Sequence, residues 1–430
     1  MKKLLTCAGV AVVGAASVHA QFVGDKGSEK PWSVSAKLRG FYDSNYLTKP
    51  ENQGVRSSWG TEFAPSFKYN LVSANTSVNA GVGYSGMYYE DRPRGSVDHT
   101  IQADLGVGHS FNERLKVDLA DSFVRASEPT LIEPTPVLTL PLRTVGSANR
   151  NLASANGSLA LTEKLGARVR YQNVIKDYDE DGNGKRSALL DSIDNSASAD
   201  LTWAFSQQAV GLIGYQFQAV DMTSKDRLLD TTGLTPAAIA SIPTGNIRDY
   251  RSHFVYGGVE YSLSEKLNTS LRGGMQFTEY PNQKGKPSSE SPYGELQVTY
   301  RYMEGSSAQF GLRHSINSTD ISMFSFLDTS TTLSAESTTI YGTITQKITP
   351  TLNGILRGQW QGSEFNGGSS DGKADNYYSV DLSLSYKLPD FWKFATLYAE
   401  AGYSYDKLQS DIANRGFDRN RIFFGFRGTL

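Results

Sequence analysis

Beyond position 20 the chain carries four histidines, His99, His109, His253 and His314, and no cysteine. Serine hydrolysis needs a base within hydrogen-bond reach of the hydroxyl and a third group to orient that base. His109-Ser110 and His314-Ser315 place the residue types side by side. Neighbouring side chains of an extended chain point to opposite faces, so neither pair works alone, and a cross-strand partner would have to complete it. The segment Asp177-Tyr-Asp-Glu-Asp-Gly-Asn-Gly184 is the sharpest local motif. Asp177, Asp179, Asp181 and Asn183 alternate as oxygen ligands do in calcium loops, and Gly182 falls where such a loop turns sharply. Ala188 stands where the bidentate glutamate of an EF-hand belongs. That departure favours a solvated acidic hairpin loop, with calcium in an external loop as the alternative cofactor reading.

A third group of residues matters only if the chain encloses water. Arg39, Arg168, Arg170, Arg272, Arg301, Arg313, Arg357 and Lys387 fall on polar rows, as do Glu62, Asp104, Asp118, Glu260, Glu295, Asp381 and Glu400. Facing a pore, rings of one sign would select ions through their field. Paired with neighbours, the same side chains would stabilise the wall. Both signs occur, so the residues leave charge selectivity open.

The elements that must position these groups are strands. Leu165, Ala167, Val169 and Tyr171 alternate with Gly166, Arg168, Arg170 and Gln172. Leu296, Val298, Tyr300 and Tyr302 alternate with Glu295, Gln297, Thr299 and Arg301; Val380, Leu382, Leu384 and Tyr386 alternate with Asp381, Ser383, Ser385 and Lys387. Period-two alternation over about ten residues gives a strand with one apolar and one polar face. Asp121 breaks the rule by falling on an apolar row, which points to a bulge, a shifted register or a subunit contact.

Short connections are expected near 70–75, 112–114, 162–164, 206–208, 264–266, 304–307, 349–351 and 389–392. Long ones are expected at 47–56, 89–96, 127–147, 176–186, 223–248, 280–291, 315–337, 362–376 and 406–418. Two short turns share nearly one pentapeptide, Leu161-Thr-Glu-Lys-Leu165 and Leu263-Ser-Glu-Lys-Leu267, with Phe111-Asn-Glu-Arg-Leu115 a looser copy. Eight short and nine long connections imply about 18 strands. The expected fold is therefore all-β: a closed antiparallel up-and-down transmembrane β-barrel of about 18 strands (16–18), with short periplasmic turns and long extracellular loops. Closure follows because hydrocarbon offers no partner to an open sheet edge. Sixteen to eighteen strands leave a lumen too wide for side chains to fill.

Lys2 and Lys3, the apolar run from Leu4 to Val18 and the small residues around Val18-His19-Ala20 make 1–20 a secretory leader. Residues 21–31 form a short periplasmic segment, and 32–430 form the barrel. Only about eleven residues precede Trp32, so no plug domain is expected. The formal net charge is −2, and loss of two leader lysines takes it to −4. With no basic block, nucleic acid is excluded as a partner class. Trp32, Trp59, Trp203, Trp360 and Trp392, with Tyr88–Tyr89 and Tyr377–Tyr378, lie near expected strand ends, as in interfacial aromatic girdles. The loop Ser127–Val145, with Pro129, Pro134, Pro136 and Pro141, either folds inward to constrict the lumen or caps the mouth. The segment Leu228–Pro243 is apolar enough to need a packing partner.

Several stretches resemble the β-barrel porin 2 family: Leu38-Arg-Gly-Phe-Tyr-Asp-Ser-Asn-Tyr46, Ser58-Trp-Gly-Thr-Glu-Phe-Ala-Pro-Ser-Phe67, Gly83-Tyr-Ser-Gly-Met-Tyr-Tyr-Glu-Asp-Arg92, Val117-Asp-Leu-Ala-Asp-Ser-Phe123 and Val210-Gly-Leu-Ile-Gly-Tyr-Gln-Phe217. The resemblance spans most of the chain after the leader. It implies a pore in a bacterial outer membrane and brings no catalytic residues. The end, with Ile422, Phe424, Phe426 and Leu430 in alternation, resembles the strand signal read by the barrel-insertion machinery, although that signal usually ends in Phe. The expected function is passive diffusion of small hydrophilic solutes or ions, without an enzyme's chemistry. Outer-membrane lipid is the expected surrounding, and general porins suggest a homotrimer. A loop-blocked structural or surface-binding barrel and an embedded hydrolase are the alternatives.

Overall fold

A computed structural model describes residues 31–93, 95–128, 142–143, 145–285, 287–321, 330–389 and 395–430. The leader, the four loop prolines and Trp392 lie outside these residues. Eighteen strands form one antiparallel sheet closed on itself, β1 pairing with both β2 and β18. They are β1 (Trp32–Asp43), β2 (Ser58–Val72), β3 (Thr76–Tyr89), β4 (Val97–Ser110), β5 (Leu115–Ala126) and β6 (Ala148–Ala160). There follow β7 (Leu165–Tyr178), β8 (Ser192–Ala204), β9 (Ala209–Met222), β10 (Tyr250–Ser262), β11 (Leu267–Glu279) and β12 (Ser288–Met303). The last are β13 (Ser306–Asn317), β14 (Ser334–Lys347), β15 (Leu352–Asn366), β16 (Ala374–Lys387), β17 (Thr396–Ser410) and β18 (Phe417–Thr429). Each strand pairs with the one before and the one after, so both ends of the barrel chain lie on the short-turn side.

Five of the short turns use one device. Thr162 Oγ1 accepts from the backbone N–H groups of Lys164 and Leu165, at 3.2 and 2.9 Å. Asn112, Ser206, Ser264 and Thr349 cap their turns in the same way. A short polar side chain thus satisfies two donors that the reversal would leave open. This explains the repeated pentapeptide: its second residue is the cap.

Several loops are shorter than expected. β15 runs to Asn366 and β17 to Ser410, where loops were expected from 362 and 406, and β16 begins at Ala374. Pairing continues after the apolar alternation fades, because backbone hydrogen bonds do not depend on one greasy face. Trp360 accordingly sits inside β15, not at its end. Trp32, Trp59 and Trp203 are exposed near strand ends. In each tyrosine pair only one ring turns outward: Tyr88 and Tyr378 are exposed, whereas Tyr89 and Tyr377 are buried. Alternation forbids two neighbours from sharing a face.

The outer rows are apolar from strand to strand. Leu38 is 60% exposed, Trp59 62% and Phe424 58%, and Val82, Ile101, Leu119, Val169, Ile213, Val255, Leu271, Leu356 and Leu382 continue the belt. A water-soluble sandwich would bury these rows. No helix among the described residues is long and apolar enough to cross a membrane, which bears on helices alone.

The segment around Leu228–Pro243 finds its partner in the loop between β7 and β8. Leu228 and Ile242 bury against Leu189, joined by Leu229, Leu234 and Ile247. A short helix, α1 (Pro236–Ser241), is capped by Thr235 in the same loop.

Candidate functional site

The register sets the candidate luminal residues on the face opposite the apolar belt. Arg39 lies between Glu62 and Glu400, pairing with the first at 3.6 Å and closely with the second. Arg427 also donates to Glu400 at 2.8 Å. Arg168 on β7 grips Glu260 on β10 with two bonds, at 2.6 and 2.8 Å, across two intervening strands. Arg272 stands between Glu260 and Glu295, at 4.0 and 3.9 Å. Arg313 faces Glu295 in register, and Arg357 faces Asp381. Asp118 pairs with Lys116, and Asp104 accepts from Gln102. Arg170 follows Arg168 on the same row of β7, while Arg301 and Lys387 stand near the short-turn rim. The enclosed wall is a belt of alternating signs, most of them paired.

One register row gathers basic side chains from several strands. Lys387, Tyr398, Arg427 and Lys37 are direct neighbours across β16, β17, β18 and β1. The Arg427 guanidinium stacks 4.2 Å from the Tyr398 ring centre. Tyr398 and Arg427 join Lys387 through consecutive hairpins, whereas Lys37 joins the row only because the first and last strands meet.

At the long-loop mouth, charged side chains from separate loops reach across. Asp320, in the loop after β13, is gripped by Arg415 from the last loop at 2.6 and 2.8 Å. Arg186, from the loop after β7, donates to Asp320 at 3.0 Å and to the Arg143 carbonyl at 2.6 Å. Arg143 belongs to the loop after β5. It pairs with Asp98 and donates its backbone N–H to Thr48, in the loop after β1, at 2.8 Å. Its neighbour Leu142 packs against Tyr377, Leu408 and Phe417 of β16, β17 and β18, several strands around the wall from β5. Glu128, from the same loop, meets Arg419 at 2.8 Å, and Arg419 is also held by Asp43 at 2.6 Å. The described flanks of the proline-rich loop therefore run inward.

The electrostatics follow from that crowding. Burial would raise the Glu128 carboxyl, yet the Arg419 and Arg421 guanidiniums outweigh it and hold the group down at about 2. Asp320 is likewise depressed: burial opposes ionisation, and Arg415 and Arg186 overcome it. Asp191, just before β8, moves the other way, to about 6, because burial wins over its hydrogen bond from Tyr178, and Asp177, Asp181 and Asp226 add like charge.

The histidines all fall on outward rows. His109 bonds Thr76, His99 bonds Tyr84 and His253 bonds Tyr215. His314 finds a cross-strand serine, Ser291, at 3.3 Å, and Glu336 at 2.8 Å, but both meet the same ring nitrogen, Nε2. A hydrolytic triad needs hydroxyl and carboxylate on opposite nitrogens. Here Nδ1 is taken by Thr338 at 2.8 Å. Glu336 also accepts from Ser291, at 2.9 Å, so serine, carboxylate and Nε2 form one closed hydrogen-bond cluster and not a relay.

The aspartate motif disperses its oxygens. Asp177 accepts from Asn149, Asp179 pairs with Arg125, and Asn183 accepts from the Arg227 backbone while donating to Thr231. Among the described residues no group of three acidic, histidine or cysteine side chains is placed to hold a metal ion. Gly182 and Gly184 both take positive φ, and a Cβ on Gly184 would strike the Asp230 backbone N at 2.3 Å. The motif's glycines serve the close approach of two loops.

No protein-family model matches the chain, and no curated protein matches it. Among solved structures it is similar to a BenF-like porin from Pseudomonas fluorescens Pf-5, at 13% identity over 93% of this chain and 99% of that one, with a TM-score of 0.44. It is similar to the outer membrane protein opdK from Pseudomonas aeruginosa at 11% identity, 93% and 99% coverage and a TM-score of 0.42. Acinetobacter baumannii OccAB2 gives 11%, 93% and 98%, and 0.44. Likenesses this loose transfer neither a solute nor a residue role to this chain.

Proposed function

We propose that this chain is a bacterial outer-membrane channel through which small hydrophilic solutes or ions diffuse passively. The observation that carries the reading is the division of faces: an 18-stranded closed wall is apolar outside and charged within. A barrel of that size keeps water inside unless loops fill it. On this reading the short turns lie in the periplasm and the long loops outside, and β18 with Ile422, Phe424 and Phe426 addresses the insertion machinery. The bridge Arg143–Arg186–Asp320–Arg415 narrows the outer mouth.

The same bridge favours a second reading, a barrel sealed by its loops. Liposome swelling separates the two. Vesicles holding the refolded protein should swell in small sugars and amino acids at rates that fall steeply with solute size. Swelling no faster than in protein-free vesicles would favour the sealed barrel.

A further inference from the structure

The outer belt contains one carboxylate with apolar neighbours on both sides along its strand. Asp121 projects between Leu119 and Phe123, and its register partners are Leu105 and Ala153. Pairing runs without a break from Leu115 to Ala126 on the β6 side, so no bulge rotates Asp121 inward. Beside it, three asparagines occupy outward positions on consecutive strands: Asn151, Asn173 and Asn195. Ile175 and Ile193 lie beyond the last two toward the loops, so these amides sit within the apolar belt. Their mutual bonds leave valence unused. Asn151 donates to Asp121 at 3.1 Å, and Tyr171 and Asn173 both donate to the Asn195 oxygen, at 2.8 and 2.9 Å. Among the described residues, Asp121 Oδ1 and Asn195 Nδ2 take no hydrogen bond.

Lipid tails can supply neither donor nor acceptor, and ionisable groups in the membrane mark functional positions. The occupant of this face must bring amides and carboxylates at the same depth. Another copy of the chain does so by symmetry, and the relief suits it. Val169 and Tyr171 form a ridge on β7, 59% and 47% exposed. Each is flanked by small residues: Val169 by Gly157 and Ala199, Tyr171 by Ala155 and Ala197. A ridge beside a groove on one face is self-complementary under a two-fold rotation. Small residues let the backbones approach closely.

We infer that the outer face of β5–β8 is the contact between two copies of this chain, paired about a two-fold axis along the membrane normal. This differs from the threefold assembly that general porins suggest. It rests on the belt facing lipid and not on conductance. The chain's sole cysteine, Cys7, lies in the leader, so single cysteines can be placed cleanly. In outer-membrane fractions, V169C treated with a short bis-maleimide should give a cross-linked dimer several-fold stronger than F424C, on the far side of the barrel. Filling the groove with A155W and A197W should abolish that dimer while the heat-modifiable folded band persists. Asp121→Leu should weaken the dimer, whereas a lipid-facing Asp121 would leave it unchanged. Equal cross-linking at both cysteines, none at V169C in folded protein, or a dimer that survives the filled groove would overturn the pairing. Failure of the protein to fractionate with outer membranes would instead defeat the channel reading itself.

Discussion

Asp320 holds guanidiniums that reach it from two different loops, and it is almost wholly buried. Removing its charge leaves Arg415 with Asp375 as its remaining partner, at 2.7 Å, and leaves Arg186 with the Arg143 carbonyl alone. Breaking a buried pair from one side costs about 3–5 kcal/mol. Here the cost falls on the loops, because the strand ladders are untouched. Asp320→Asn should therefore widen the mouth and raise single-channel conductance without loss of the folded, heat-modifiable form. A conductance equal to wild type would show that the bridge does not limit the path. Glu128 gives the pH dependence. Its folded carboxyl is held at about 2, below the ordinary range, so its pairing stabilises the mouth above about pH 4 and is lost as pH falls toward 2. Conductance noise from loop motion should rise over that window, and Glu128→Gln should remove the transition. Asp191 has the opposite sign: raised to about 6, it favours its loop below about pH 4, and that contribution fades as pH climbs through 6.

Strand identity was legible because amphipathic alternation is local, and the turn caps carried their own residues, as Thr162 and Ser264 show. What stayed hidden depends on neighbours brought from elsewhere in the chain. The seam between β12 and β13 is an example. The ladder ends at Gly294 and His314, and the next outward partner for Ile316 in that register is Pro292, which has no N–H to give. Gln276 from β11 supplies the missing pair with its side chain, accepting from the Ile316 N–H at 2.8 Å and donating to its carbonyl at 3.0 Å. No single-strand pattern could announce this, because three strands contribute. Leucine at position 276 would orphan two backbone groups, at roughly 1–3 kcal/mol each. The Ile316 amide should then exchange at least about tenfold faster, while amides of β15 and β16 keep their protection. Unchanged exchange at Ile316 would mean that water already serves the seam.

Across the whole molecule, closure decides what the residues can do. Lys37 and Arg427 stand 390 positions apart in the sequence yet are register partners, because β1 and β18 complete the wall. The alternation of Arg39, Glu62, Glu400, Arg168 and Glu260 was visible as a polar row, but whether its members pair depends on which strands adjoin, and Arg168 with Glu260 skips two. The mouth lay furthest from reach, since loops converge there from most of the circumference and their charges meet only in three dimensions. The account predicts water continuous from the long-loop mouth to the short-turn rim. The direct measurement is single-channel current from the refolded chain in a planar lipid bilayer. A steady nanosiemens-scale conductance that Asp320→Asn increases is the expected result. Electrical silence from correctly folded, inserted protein, with wild type and variant alike, would contradict it.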